Sequence, residues 1–136
     1  MPTTERKIYL TFDDGPVPGP TEFVLETLRQ HQAKATFFCI GDNIRKHGEV
    51  FNRILAAGHA VGNHTFHHVN GWSASVEKYQ TEAEACQQLL PSETQLFRPP
   101  YGRITRAQIT ALAHFRLVMW DVLTYDFDQS LPAESC

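Results

Sequence analysis

Short apolar runs alternate with helical patterns along the whole chain, and this alternation restricts the fold more than any single residue does. KIYLTF (7–12) reads as a buried strand. TEFVLETLRQH (21–31), just after Pro20, places Val24, Leu25 and Leu28 on one helical face. ATFFCI (35–40) is a second strand, rich in aromatic and branched residues. Gly41 closes it, and Asp42 or Asn43 can cap a helix through IRKHGEVFNRILAAG, which stops at Gly58. Gly48 is a weak point in that stretch and allows two short helices instead. HAVGNH (59–64) is a third strand, and a polar helix covers about 74–90 before Pro91. QLFR (95–98) is a fourth strand, TRAQITALAHF (105–115) a helix and RLVMWDVL (116–123) a fifth strand.

A series of strands separated mostly by helices predicts an α/β fold with a mostly parallel sheet. In such sheets and barrels the functional loops lie at the C-terminal ends of the strands. Asp13-Asp14 follows the first strand, His64 ends the third, Arg98 ends the fourth, and the acids of DVLTYDFD follow the fifth. The polar clusters therefore collect at one end of the sheet.

At 136 residues the chain has room for one domain with a real core, and 42% hydrophobic with 20% charged residues is ordinary for a soluble globular protein. A net charge of −3 gives no electrostatic case for nucleic acid or an anionic membrane as partner. No apolar run approaches the roughly 18 residues of a membrane span. The start, MPTTERKIYL, lacks a signal-peptide pattern. As written the chain reads as cytoplasmic, or as periplasmic or extracellular if an export signal has been removed. Cys39, Cys86 and Cys136 are odd in number, match no zinc-finger spacing and read as free thiols.

HTFHH (64–68) offers His64 and His68 four residues apart, a spacing that lets two imidazoles converge on one cation if the segment turns helically. Two imidazoles with one carboxylate make a three-ligand site with open positions, the catalytic rather than the structural zinc pattern. His67 lies between them and reads as a surface residue. Adjacent carboxylates cannot flank a glycosidic bond, which needs two acids about 5–9.5 Å apart. Neighbouring side chains diverge, so one of Asp13 and Asp14 can bind a metal while the other serves as general base. Arg98, before a rigid Pro-Pro turn, can pair with the base. A backbone N–H of that turn can serve an oxyanion.

TFDDGP, HTFHH, RPPYG and WDVLTYDFD, in this order, resemble the polysaccharide deacetylases, the NodB-homology or carbohydrate esterase family 4 enzymes, over about residues 7–128. The resemblance implies a distorted (β/α) barrel and metal-dependent hydrolysis of N-acetyl or O-acetyl groups of a polysaccharide such as peptidoglycan, chitin oligomers or xylan. It implies Asp13 as catalytic base, and Asp14, His64 and His68 as ligands of a divalent metal, Zn2+ first, with Co2+ or Ni2+ as alternatives. Arg98 is similar to the arginine that tethers the base, and Tyr101 sits where the family offers an oxyanion-binding N–H. Asp126 resembles the acid that tunes the catalytic histidine, with Asp121 as the alternative. Thr65 matches the Ser or Thr after the first ligand, and is placed with Pro100 and Phe127 among the substrate-contacting residues. Phe127 replaces the family's usual groove-wall tryptophan.

One family element has no counterpart. The general acid is a histidine in a Leu-x-His element near the C-terminus, whereas after Asp126 this sequence reads FDQSLPAESC. His31, His47, His59 and His114 do not resemble it. The expectation is therefore a single domain over 1–136 that lacks its C-terminal part, an incomplete barrel with exposed edges. It should assemble the metal site and turn over poorly or not at all. A non-catalytic carbohydrate-binding fragment is the competing reading. A different metallohydrolase, such as a phosphoesterase, is a third reading that nothing in the sequence favours.

Overall fold

The structure, a computed structural model, describes residues 7–125 together with 127, 128, 130, 132 and 134. Five strands form one sheet in the order β1–β2–β3–β4–β5, every pair parallel. The strands are β1 (Leu10–Asp13), β2 (Ala35–Cys39), β3 (Ala60–Asn63), β4 (Leu96–Phe97) and β5 (Arg116–Leu117). Between them lie α1 (Pro20–Gln30), α2 (Gly41–Lys46), α3 (Gly48–Ala56), α4 (Val76–Gln87) and α5 (Arg106–Ala111). The expected α/β architecture is thus present, as a parallel sheet that does not close.

Register decides which residues face the helices. Asp13 pairs with Phe38, Phe38 with Gly62, and Asn63 with Phe97. Because side chains alternate along a strand, Thr11, Asp13, Phe38, Gly62, Leu96 and Arg98 share one face. Phe12, Phe37, Cys39, Val61, Asn63 and Phe97 share the other. The helices cover this second face. Leu25 and Leu28 of α1, Ile44 of α2, Phe51 and Ile54 of α3 and Cys86 of α4 form one core cluster with Ala35, Phe37, Cys39 and Val61. Tyr79 and Ala83 of α4 meet Phe97, Leu112 and Phe115 in a second. Each large apolar side chain so buried stabilises the fold by about 2 kcal/mol relative to exposure. Cys39 and Cys86 are buried free thiols, and burial pushes both up, Cys86 to about 12. Cys136 lies outside the described residues.

The opposite face curls on itself. Arg98, at the end of β4, reaches Thr11 and Asp13 of β1 at 2.8 Å each. In a flat sheet these strands would stand three spacings of about 4.8 Å apart, farther than an arginine side chain extends. The curl is the start of a barrel. At the free edge of β1, Leu10, Phe12, Phe23 and Val24 line an apolar groove of about 300 Å³, and Ile8 and Tyr9 are exposed.

Several elements depart from the sequence pattern for identifiable reasons. The first strand starts at Leu10 and runs on to Asp13, which places the first acid inside the ladder. Neither Asp42 nor Asn43 caps α2, whose N-cap is Ile40. Asp42 instead pairs with Arg45 and Lys46, and Asn43 Nδ2 donates to the Asp14 carbonyl at 2.8 Å. Gly48 does divide the following stretch into two helices. α4 begins later than expected because Ser75 caps it, its side chain accepting from Lys78 N. The fifth strand stops at Leu117, since the carbonyls of Val118 and Met119 are taken by the Arg98 guanidinium.

Gly62 is required by this packing. A Cβ there would lie 2.5 Å from the Phe38 ring and 3.2 Å from Leu96 Cβ, and fully buried Phe38 has no room to retreat. Gly62→Ala should therefore lower unfolding free energy by about 1–3 kcal/mol, read as a lower denaturation midpoint at unchanged m-value.

Candidate active site

The two adjacent acids part company at the backbone. Asp13 keeps strand geometry and points to the face that carries Arg98. Asp14 has a left-handed φ of 68°, which swings its carboxylate towards the third strand. The turn is stitched down by Asn43 on the Asp14 carbonyl and by Ile40 N donating to Gly15 O at 2.9 Å. Asp14 Oδ1 then lies 3.3 Å from His64 Nε2 and 3.1 Å from His68 Nε2. Hydrogen bonding to His64 first, and then to His68, holds the Asp14 carboxyl well below the usual carboxylate range, against the opposing effect of burial.

The HTFHH segment converges without being helical. Thr65 and His68 both take positive φ, 61° and 56°, and the loop between them carries no helix. Such conformations are costly for residues other than glycine, most of all for a branched threonine. The loop is held by Asn63, whose Oδ1 accepts from Thr65 N at 2.9 Å while its Nδ2 donates to Ala83 O of α4 at 2.7 Å. His67 is exposed, as expected, yet its N–H and ring both bond Glu82 of α4. The Thr65 hydroxyl accepts from Val69 N at 3.1 Å.

His64 is oriented by its other nitrogen. Nδ1 lies 2.7 Å from the Arg98 carbonyl oxygen, which can only accept, so Nδ1 donates there and Nε2, turned towards Asp14, is the nitrogen left to ligate a cation. This is the arrangement by which a metal-ligating histidine is usually set. One ligand atom each from Asp14, His64 and His68 lie within 4.8 Å of one another. A carboxylate and two imidazoles converging at that spacing, one of them oriented through its other nitrogen, fit a divalent cation such as zinc.

Arg98 is only 3% exposed and every part of its head group is engaged. Nη1 donates to Asp13 Oδ1 and Thr11 Oγ1, Nη2 to Met119 O at 3.0 Å, and Nε to Val118 O at 3.1 Å. Its plane rests 4.2 Å from the Phe38 ring centroid and 5.7 Å from that of Trp120. The guanidinium thus fixes Asp13 beside, not within, the Asp14–His64–His68 cluster.

Tyr101 also has positive φ, 58°, and its ring lies 4.6 Å from that of His68. Its N–H has no acceptor among the described residues. Two residues expected against substrate are instead interior. Thr65 is fully buried, and its hydroxyl is spent on the loop. Pro100 is fully buried too, so both shape the site from behind. Phe127 is exposed, its ring 5.7 Å from that of Tyr125. Asp126 lies outside the described residues, and Asp121 is exposed.

A family model described as polysaccharide deacetylase matches residues 1–120. The chain belongs to the polysaccharide deacetylase family. A peptidoglycan-N-acetylglucosamine deacetylase of Bacillus cereus is 36% identical over 132 residues, covering 93% of this chain and 48% of that protein. A chitooligosaccharide deacetylase of Azorhizobium caulinodans is 34% identical over 131 residues, covering 91% of this chain and 62% of that one. The crystal structure of the Bc1960 peptidoglycan N-acetylglucosamine deacetylase superposes with a TM-score of 0.91 at 33% identity, covering 98% of this chain and 65% of that one. The chain therefore spans 48% to 65% of the length of these relatives.

Within this deacetylase-family chain, sequence reasoning missed the residues that hold the site. Asn63, Asn43 and Thr11 are small polar residues on or beside strands, and nothing in their local pattern distinguishes them. Only Asn63 gave a faint signal, an amide in an otherwise apolar strand end. The Arg98 contacts generate a prediction. Removing one partner of a buried ion pair is strongly destabilising, so Arg98→Met should lower stability by about 3 kcal/mol in equilibrium denaturation. Asp13→Asn keeps an acceptor for Nη1 but removes the counter-charge of the buried guanidinium, and should cost about 1–3 kcal/mol.

Proposed function

We propose that this chain carries the metal site and catalytic base of a deacetylase that hydrolyses the acetyl group of an N-acetylated glycan. The observation that supports it best is the convergence of Asp14, His64 and His68 beside an Asp13 tethered by Arg98. Asp14, His64 and His68 would hold the divalent cation, with zinc favoured and cobalt or nickel also suited to two imidazoles and a carboxylate. When bound, the cation supplies Lewis acidity at the acetyl carbonyl and at water.

The chain's own groups supply the rest. Asp13 accepts a proton from the attacking water, and Arg98 keeps its carboxylate aimed. The Tyr101 N–H donates to the oxyanion as charge develops there. Its left-handed backbone turns that N–H away from the local ladder. Thr65 and Pro100 fix the positions of His68 and Tyr101 from the interior, and Phe127 offers an apolar wall to the sugar. Asp126 is the residue proposed to tune a histidine acid. No histidine follows Asp126 in the sequence, so residues 1–136 should bind metal while releasing acetate slowly. The same observation favours a second reading, a carbohydrate-binding segment without turnover. The peptidoglycan and chitooligosaccharide activities named for the relatives make both glycans substrate candidates.

Titration calorimetry with zinc should give one site per chain, abolished by His64→Ala and by Asp14→Ala. Asp13→Asn should keep the metal. A version extended to the length of the relatives should release acetate from chito-oligosaccharides or peptidoglycan, and Asp13→Asn should cut that rate by about 100-fold or more. No acetate from either length would refute the enzyme reading. Loss of metal in Asp13→Asn with retention in Asp14→Asn would show that the two acids have exchanged roles.

A further inference from the structure

Trp72 lies four residues after His68, and Arg103 two residues after Tyr101, on the same rim of the sheet as the candidate site. The indole is 68% exposed, with the Arg103 guanidinium carbon 5.0 Å above its ring. A single exposed tryptophan needs no explanation. This one is on a turn that is unusually well fastened.

Asn70 caps the Gly71–Ser73 turn, its side chain accepting from Trp72 N at 3.0 Å. Gln108, 1% exposed, donates through Nε2 to Gly71 O at 2.8 Å and to Ala74 O at 3.1 Å. The same side chain accepts from Thr105 N at 2.9 Å. Gly71 sits so close to the 103–104 backbone that a Cβ would run into Arg103 O and lie 3.1 Å from Ile104 Cα. A fully buried amide thus clamps the Trp72 turn onto the segment that carries Tyr101 and Arg103. Clamping lowers the entropy lost when a ligand settles on the ring.

Arg103 is exposed and forms no ion pair with the described residues. Its guanidinium takes one face of the indole, and the 68% exposure leaves the other open. A flat apolar surface suits the C–H face of a pyranose, and a free planar guanidinium suits a carboxylate in bidentate geometry. We propose that Trp72 and Arg103 form a glycan subsite beside the acetyl-hydrolysing centre. The indole stacks on one sugar ring, and the guanidinium pairs with a carboxylate borne by a neighbouring sugar. The preferred ligand is an N-acetylated glycan carrying carboxylates, over a neutral one. This rests on the deacetylase reading and narrows its substrate class.

The test is binding, with the 136-residue chain loaded with zinc. The probes are a peptidoglycan tetrasaccharide with free lactyl carboxylates and neutral N-acetylchitotetraose, titrated by NMR or calorimetry. The wild type should bind the carboxylate-bearing glycan about tenfold more tightly, the value of one charge-assisted hydrogen bond. Arg103→Gln should erase that ratio and leave the neutral Kd unchanged. Trp72→Ala should weaken both glycans about tenfold. Equal affinities in the wild type, a ratio unaltered in Arg103→Gln, affinities unaltered in Trp72→Ala, or no saturable binding of either probe would each overturn the subsite. Zinc binding is read separately on the same samples. Its absence, with glycan preference intact, would count against the deacetylase reading alone.

Discussion

The Arg98 guanidinium joins strands that the sheet order keeps three places apart. It reaches from the end of β4 to Thr11 and Asp13 of β1, and its remaining donors hold the carbonyls of Val118 and Met119 beyond β5. The same residue's carbonyl orients His64. One buried cation therefore curls the sheet, ends its last strand, aims the candidate base Asp13 and, through its carbonyl, orients the candidate metal ligand His64. Its burial would be expensive if any of these partners failed. The Phe38 ring beneath it depends in turn on Gly62 for space, so the site is coupled to an interior glycine that carries no chemistry.

Backbone strain is concentrated where the chemistry is. Among the described residues, those other than glycine with positive φ are Asp14, Gln32, Thr65, His68, Tyr101 and Tyr125. Asp14, Thr65, His68 and Tyr101 all belong to the site. A left-handed L-residue costs on the order of 1–3 kcal/mol and persists only when its surroundings over-determine it. Here the surroundings are visible: Asn43 on Asp14, Asn63 on Thr65, and Glu82 on His67 between the two ligands. The outer, helix-packed face supplies the stability that these conformations draw on.

The parallel sheet and the one-ended clustering of polar residues were legible in the sequence from period and spacing. The convergence of Asp14, His64 and His68 was expected from the ordered motifs, and the division of roles between Asp13 and Asp14 came only from the family resemblance. The path by which His64 and His68 converge was not legible. Their i, i+4 spacing suggests a helix, yet a loop with two left-handed residues brings them together, because Asn63 at the end of β3 and Glu82 on α4 satisfy its backbone. Thr65 and Pro100 read as substrate contacts because they adjoin site residues, but adjacency in sequence does not say which side of the backbone faces solvent. The early end of β5 was equally hidden. An arginine some twenty residues upstream takes the carbonyls that a longer ladder would have used.

Assembly of the site and closure of the sheet are separable in this fold. Among the described residues, the contacts seen to hold Asp13, Asp14, His64 and Thr65 come from Thr11, Asn43, Asn63, Arg98 and the 118–120 segment, mostly through backbone or buried polar atoms. The apolar groove on β1 is lined by Leu10, Phe12, Phe23 and Val24, none of which touches a metal-ligand candidate through a polar contact. Phe12 and Phe37, stacked at 5.3 Å, stand on the helix side of the sheet, whereas Thr11 and Asp13 face Arg98. Alternation along a single strand thus assigns edge hydrophobicity to one face and chemistry to the other. A change in what covers the β1 edge would act on stability first.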